Sequence, residues 1–395
     1  MDGFSRLAWP SATRLRKKRR NQGLFGASSL PLWRSFARSS GECRTSLMRT
    51  FRHKIHRPQL PGISSRGPAS INISHRDNLG ARRKRDSLLA VSIVTFRSSQ
   101  VIGQCLQKLF KATSRAIEIV VFDNASDDDT LAQLTSFRKA VRVTPHRSNV
   151  GFGSGHNRVL AQVNSEYFLL LNPDVELPPG GLDSLVGHLE ENPACGAVAP
   201  LLANGPHGEL GGFGLSYPGQ CCLPRSWRCL PGEIATLQGA CVLVRSALLR
   251  SLGGFDERFF LYAEDLDLSL QIRRAGYSLA CLTTVVARHL SGHSESGRSS
   301  LSVAHRKYAA LLKFYDKNYP RRAIFWLLAR DLLRFTFRWV VHSLSPRRTS
   351  FEKASEYRGR IQALWEYVGS RIGADEHRLA GASRGSSSRP GQSLG

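Results

Sequence analysis

The sequence predicts an α/β fold with a parallel sheet at its centre, and three observations predict it. Short apolar runs rich in β-branched residues recur through the middle of the 395-residue chain, as strands buried on both faces require. Stretches with helical spacing of apolar residues separate them, the alternation that builds a parallel sheet crossed by helices. Acidic residues directly follow two of the runs, at the strand ends where such sheets bind ligands.

Each element can be justified in turn. LLAVSIVTF (88–96) is the first buried strand, and Val101, Cys105, Leu106 and Leu109 behind it keep a three- and four-residue spacing that predicts a helix. IEIVVF (117–122) is the second strand, closed by DNASDDDT, a turn that also supplies helix-starting acids. VRVTP (141–145), YFLLL (167–171) and GAVAP (196–200) are the third to fifth, with NPDVELPPG closing the fourth. Residues 203–235, rich in Gly, Pro and Cys, break the pattern and read as an irregular excursion of the kind that often serves as a lid. Order resumes at LQGACVLVRS (237–246), and LDLSLQIRRAGY reads as a helix.

Composition bounds the function. With 41% hydrophobic and 22% charged residues, a wholly disordered or fibrous chain is excluded. No run of about 18 uncharged apolar residues occurs, which excludes a simple membrane-spanning helix. The chain carries 56 Lys+Arg against 30 Asp+Glu, a net charge of +26, and 20 of those bases against 4 acids fall in residues 1–86. That segment has no sustained period and predicts a disordered basic extension. It is open to three readings: an arm for nucleic acid or anionic membrane, an organellar transit peptide, or a solvated extension. The eight cysteines show no metal-binding spacing and predict reduced, mostly buried thiols.

Five segments together resemble the family 2 glycosyltransferases, especially their rhamnosyltransferase-like branch: VSIVTF (91–96), VVFDNASDDDT (120–130), NVGFGSGHN (149–157), LLLNPDVEL (169–177) and GGFDERFFLYAEDLDLSLQIRRAGY (253–277). The resemblance implies a GT-A fold over residues 87–300, a nucleotide-binding α/β sheet with an acceptor half attached. It also implies an enzyme that transfers sugar from a nucleotide diphosphate. Such a leaving group needs no protonating acid, so one carboxylate base and one divalent metal suffice, unlike the acid pair of glycoside hydrolysis.

By the same resemblance Asp123, with Thr95 beside it, recognises the nucleotide base, although an aspartate there also serves as a helix cap. Asn149, Gly153 and Asn157 offer polar contacts and close backbone approach to the donor. Asp174 is the metal acid of a DxD-like motif whose first position is Asn172, and Mg²⁺ or Mn²⁺ is the expected ion. His289 is a second metal candidate, ahead of His293. Asp265 of the Glu264–Asp265 pair is the catalytic base, although acids in a first helical turn also complement the helix dipole. QIRR (271–274) is similar to a motif of processive synthases but lacks its tryptophan, with Ala275 in that place.

Residues 301–370 are expected to form a helical C-terminal extension, and 371–395 a disordered polar tail. In AIFWLLARDLLRFTFRWVVHSL, Arg330, Arg334 and Arg338 recur every four residues, with Leu328, Leu332, Phe335 and Trp339 opposite. This pattern fits an interfacial membrane helix or a helix packed on the catalytic domain. The expectation is an inverting glycosyltransferase, moving rhamnose or a related deoxyhexose from a nucleotide diphosphate to a surface-glycan or lipid-linked acceptor. It is placed in the cytoplasm, with peripheral contact at the membrane's cytoplasmic face. Its rivals are a noncatalytic nucleotide-sugar-binding protein of the same fold and a basic nucleic-acid-binding protein. Nucleic acid is not expected as a partner, because the basic excess lies mainly outside the fold.

Overall fold

The structure, a computed structural model, describes residues 87–290, 299–345 and 348–385, with side chains up to Arg371. The expected basic extension (1–86), His293 and residues 386–395 lie outside the described residues. β1 (Ser87–Thr95), β2 (Ile117–Asp123), β3 (Val141–Pro145) and β4 (Ser165–Leu171) fall on the expected runs. They lie in the spatial order β3-β2-β1-β4, all parallel. Helices α1 (Ile102–Leu109), α2 (Thr130–Thr135) and α3 (Phe152–Leu160) cross between them.

Beyond β4 the sheet stops being parallel, which corrects the expectation of a purely parallel one. β10 (Cys241–Arg245) runs antiparallel between β4 and β6 (Cys195–Asn204). β11 (Ser278–His289) is parallel to β6, and the two-residue β5 (Val175–Glu176) closes that edge antiparallel to β11. β6 and β10 are as apolar as parallel strands because both of their faces are buried, and a hydrophobic pattern carries no direction.

Alternate residues of β1 serve two cores, as strand geometry demands. Leu89, Val91 and Ile93 pack with Ile102, Leu106 and Leu109 of α1 and with Leu182, Leu185 and Leu189 of α4 (Gly181–Glu191). Ala90 and Val94 face the other way, toward Phe122, Val159, Phe168, Leu170 and Phe255. With both faces closed, polar chemistry is confined to the strand ends.

A third, aromatic core joins parts far apart in sequence. Tyr217 and Trp227 of the 203–235 excursion pack with Leu266 and Leu270 of α6 (Glu264–Arg274). Tyr308, Phe314 and Tyr315 of α7 (Ser300–Asn318) join them, with Leu327 and Phe335 of α8 (Arg321–Ser343) and Leu364 of α9 (Arg348–Gly385). The excursion is thus a seat for the C-terminal helices, which departs from its expectation as a free lid. It includes two short strands, β7 (Glu209–Gly211) and β8 (Phe213–Gly214), the latter paired with β9 (Thr236–Leu237). α9 continues past residue 371, where the polar tail was expected to begin. Of the seven cysteines in the described residues, all free, Cys105, Cys195 and Cys241 are buried, whereas Cys221 and Cys229 on the excursion are exposed. The expectation of mostly buried thiols holds only for the sheet.

α8 is rotated from its expected disposition. Asp331, 2% exposed, accepts a hydrogen bond from Tyr308 Oη at 3.0 Å and fixes the inward face. Arg330 turns toward it (Nη2 to Oδ1, 2.6 Å), and Arg334 is half-buried. Leu328 and Leu332 are half-buried and Phe335 is buried, all against the third core. The expected apolar face is therefore largely covered, while Trp326, Leu333, Phe337, Val340 and Leu344 stand exposed.

Arg273 of QIRR anchors the excursion. Its guanidinium donates to the carbonyls of Pro231 (2.9 Å), Leu230 (3.1 Å) and Gly232 (2.9 Å), and to Tyr217 Oη (3.3 Å). Lysine has one compact head and cannot span this set. Arg273→Lys is expected to lower stability by about 1.5–3 kcal/mol and to open residues 218–234 to protease. Denaturant midpoints and limited proteolysis check this, and a wild-type cleavage pattern would remove the anchoring role.

Candidate active site

The carboxyl ends of β1 and β2 share one hydrogen-bond network, and the end of β4 is bonded to the backbone beside α6. Thr95 and Asp123 are register partners at the ends of β1 and β2, and Thr95 Oγ1 donates to Asp123 Oδ1 at 2.8 Å. Ser126 donates its hydroxyl to the same oxygen (2.6 Å) and its amide to Oδ2 (3.0 Å). The next residue, Asn124, donates to the Gly151 carbonyl (3.0 Å) and accepts from the Val150 amide (2.8 Å). The Phe152 amide then donates to the Phe260 carbonyl at 2.9 Å, joining this loop to the segment that precedes α6. At the far side Gly239 N donates to Asp265 Oδ2 at 3.0 Å, and Asn172 N donates to the carbonyl of the adjacent Ala240 at 2.8 Å. The NPD turn after β4 and the start of α6 are thereby set on neighbouring backbone.

Asp123 is 1% exposed and already accepts three hydrogen bonds. A carboxylate offers about four lone-pair sites, so room for one further donor remains. Ser126, which reads in the sequence as a turn residue, is what fixes this carboxylate.

The glycine-rich segment does work other than the expected cradling of a phosphate. Gly151 has φ +92°, and a Cβ there would lie 2.4 Å from the Phe260 carbonyl oxygen, so only glycine fits. A Cβ on Gly153 would lie 2.8 Å from the Cβ of Phe255, so this glycine brings α3 against the GGFDE segment. Asn149 Oδ1 accepts from the Gly151 amide at 2.9 Å. Asn157 both donates to the Phe255 carbonyl (2.9 Å) and accepts from its amide (2.8 Å). In this structure Asn149 and Asn157 hold backbone through their side-chain amides, and Gly153 allows the close approach of Phe255. His156 between them is fully buried against Ser92 Oγ at 2.7 Å, and burial pushes its imidazole down to about 3, so it stays neutral.

Asp174 and His289 converge from different strands. Asp174, 8% exposed, follows β4, and its Oδ1 lies 3.5 Å from Nε2 of His289 at the end of β11. Asn204, at the end of β6, orients the imidazole through a 2.8 Å contact between its Oδ1 and His289 Nδ1. The Asn204 amide group is itself directed by the carbonyls of Glu209 (3.3 Å) and Leu202 (3.5 Å). Its oxygen must then face the histidine, which puts a proton on Nδ1 and leaves Nε2 as the ring nitrogen that faces Asp174. That is the orientation of a metal-binding histidine with its supporting partner. Asn172 Oδ1, two residues before Asp174, is buried without a hydrogen-bond partner. One carboxylate, one imidazole and one orphaned amide oxygen fit an ion that keeps other positions for phosphate oxygens and water, although the described residues contain no group of three His, Cys, Asp or Glu side chains suited to a metal. Asn204 carried no sequence signal, since it matters only through the register of β6 with β11.

The Glu264–Asp265 pair opens α6 after Tyr262 and Ala263, both non-glycine residues at positive φ (72° and 65°). Such backbone strain persists only where surrounding structure imposes it. Asp265 is half-buried, and its two oxygens accept from the Gly239 and Leu266 amides (3.0 and 2.8 Å). Glu264 is 7% exposed and its Oε2 has no partner. Burial first, then the charge of Asp265, raises the Glu264 carboxyl well above its ordinary value. Burial also raises Asp265, with the two backbone amides opposing it. The two amides thus favour the charged form of Asp265, and nothing comparable reaches Glu264 Oε2. Asp267, 3% exposed, is bound to Lys317 Nζ (2.7 Å) and Asn318 Nδ2 (3.1 Å) and ties α6 to α7.

Residues 90–253 match the family model described as Glycosyl transferase family 2. They form a family 2 glycosyltransferase domain, and the chain is a glycosyltransferase with a GT-A fold. Thr95, Asp123, Asn172 and Asp174 fall inside the matched region; Asp265 and His289 lie beyond it. The glycosyltransferase is 29% identical over 307 residues to the N-acetylglucosaminyl-diphospho-decaprenol L-rhamnosyltransferase of Mycobacterium tuberculosis, a match covering 69% of this chain and 99% of that one. It is 24% identical to the low-salt glycan biosynthesis hexosyltransferase Agl10 of Haloferax volcanii, over 68% of this chain and 87% of the relative. Among solved structures it is similar to the mannosyltransferase PcManGT of Pyrobaculum calidifontis in complex with GDP-Man and Mn²⁺. The TM-score there is 0.47 at 17% identity, over 72% of this chain and 88% of that one.

Two predictions test the acids of α6. A carboxyl raised in the folded state contributes its full stability below its unfolded value, 4.5 for Glu264, and loses it as pH rises through the folded value. Glu264→Gln is therefore expected to raise the Tm at about pH 8, with the gain vanishing toward pH 4.5; a pH-independent Tm difference would place the proton elsewhere. Asp267→Asn is expected to lose about 1.5–3 kcal/mol of stability while the folded fraction keeps its activity, read by melting curves beside a turnover assay.

Proposed function

We propose that the protein is an inverting, divalent-metal-dependent glycosyltransferase. In this reading it moves rhamnose or a related deoxyhexose from a nucleotide diphosphate to a lipid-linked or surface-glycan acceptor. The observation that carries the mechanism is the asymmetry of the α6 acids: Asp265, half-buried and reachable, accepts from two backbone amides, whereas Glu264 Oε2 is buried without a partner. The similarity to an L-rhamnosyltransferase whose name specifies a diphospho-decaprenol acceptor supports the sugar and the acceptor class.

Asp265 takes the proton of the acceptor hydroxyl as its oxygen bonds to the anomeric carbon and the bond to the diphosphate oxygen breaks. The amides of Gly239 and Leu266 hold the carboxylate in one orientation, so little reorganisation accompanies the transfer. Asp174 and His289 would hold the divalent ion; when bound, it neutralises charge developing on the diphosphate. Thr95 and Asp123 place the nucleotide's base at the ends of β1 and β2, where Asp123 retains one acceptor position.

A screen of nucleotide sugars that follows nucleotide diphosphate release tests the class of donor, with a dTDP-deoxyhexose expected to lead. Asp265→Asn is expected to reduce transfer by about 10²–10⁴-fold with donor affinity unchanged. Loss of donor binding with per-site turnover intact would move the base elsewhere. Asp174→Ala is expected to lose at least about a hundredfold in rate together with its stimulation by divalent ions. Full activity at limiting Mg²⁺ would remove the metal role.

A further inference from the structure

The outward face of α8 has no counterpart among the described residues. Trp326, Leu333, Phe337, Val340 and Leu344 are 66%, 74%, 67%, 42% and 80% exposed. Their separations of seven, four, three and four residues bring them onto one narrow stripe, since seven residues make about two helical turns. Phe325, 65% exposed, flanks the stripe, and Phe351, 75% exposed, stands just past the turn into α9. A soluble monomer seldom exposes so continuous an apolar patch unless something covers it.

Charge indicates what covers it. α8 carries five arginines and a single acid, and that acid, Asp331, is buried and bound to Arg330 and Tyr308. Arg321, Arg322 and Arg338 are exposed, so the exposed charges on α8 itself are all positive. A second copy meeting this face in a two-fold dimer would bring like charges together. An anionic lipid surface accepts the apolar stripe and the arginines at once. None of the described helices is long and apolar enough to cross a membrane, so the helix would lie in the interface.

We propose that α8 docks the protein on an anionic bilayer, with Trp326, Leu333, Phe337, Val340 and Leu344 among the acyl chains and Arg321, Arg322 and Arg338 at the headgroups. The assignment deepens the lipid-linked-acceptor reading and rests on it for its purpose, though its geometry stands apart from it. α8 packs through the third core on α7, whose Lys317 holds Asp256 and Asp267. Docking would therefore fix the position of the catalytic domain over the membrane.

The full-length protein is tested by sedimentation with vesicles of phosphatidylcholine and phosphatidylglycerol, about 7:3, against phosphatidylcholine alone. Wild type is expected to bind the mixed vesicles. The triple variant Trp326→Ser, Leu333→Ser and Phe337→Ser is expected to lose binding about tenfold or more. Its substituted side chains are all exposed, and an unchanged melting curve confirms that it folds. Arg321→Gln, Arg322→Gln and Arg338→Gln together are expected to cut binding about a hundredfold on mixed vesicles, with little change on phosphatidylcholine. Vesicle binding that survives the serine variant, or no wild-type binding, overturns the proposal. So does a solution dimer that the serine variant dissociates, which would assign the stripe to a second copy. Vesicle binding without nucleotide-sugar turnover would refute the proposed activity and leave the docking face standing.

Discussion

Helices cover both faces of the sheet, and this one constraint governs the remainder of the molecule. With β1 and β4 buried on each side, an unpaired polar group in mid-strand would lose its hydration without compensation. Ser92 shows the condition under which one is tolerated, since its hydroxyl is paired with the neutral His156. The remaining chemistry is driven to the carboxyl ends, where Thr95, Asp123, Asn172 and Asp174 emerge from three adjacent strands. The loops after β1 and β2 are hydrogen-bonded to each other, and the loop after β4 is bonded to the backbone beside α6, so these ends form the rim of the site.

The reversal of β10 is what brings the catalytic candidate to that rim. Running antiparallel beside β4, β10 starts where β4 ends, so Gly239 and Ala240 lie against Asn172 and present an amide to Asp265. A parallel strand there would have delivered its opposite end. The C-terminal helices add support from below: Lys317 and Asn318 hold Asp267, while Arg274 donates to Asn318 Oδ1 at 2.8 Å and lies over the Trp227 ring. α6 is thus clamped at both ends, which lets the strained Tyr262–Ala263 corner persist.

Several motif residues hold backbone. Gly151, Gly153 and Asn157 link α3 to the segment leading into α6. Arg273 gathers three carbonyls of the excursion. A sequence motif does not separate these duties, because close approach of a backbone and close approach of a ligand ask for the same glycine. The distinction needs the neighbour, and here the neighbour is Phe255 or Phe260.

The sequence alone determined the strands, the placement of acids at their ends and the family, because β-branched apolar runs and turn residues are local signals. It also singled out Asp174, His289 and the Glu264–Asp265 pair. Only the tertiary structure decided how those two acids differ, since amides from Gly239 and Leu266 reach Asp265 and none reaches Glu264 Oε2. It likewise decided the direction of β10, the use of Asn204 behind His289, and the rotation of α8. Apolar periodicity gives a helix a face but not its partner. Tyr308, reaching Asp331 from another helix, turned the arginines of the middle of α8 inward and left a different stripe in the open.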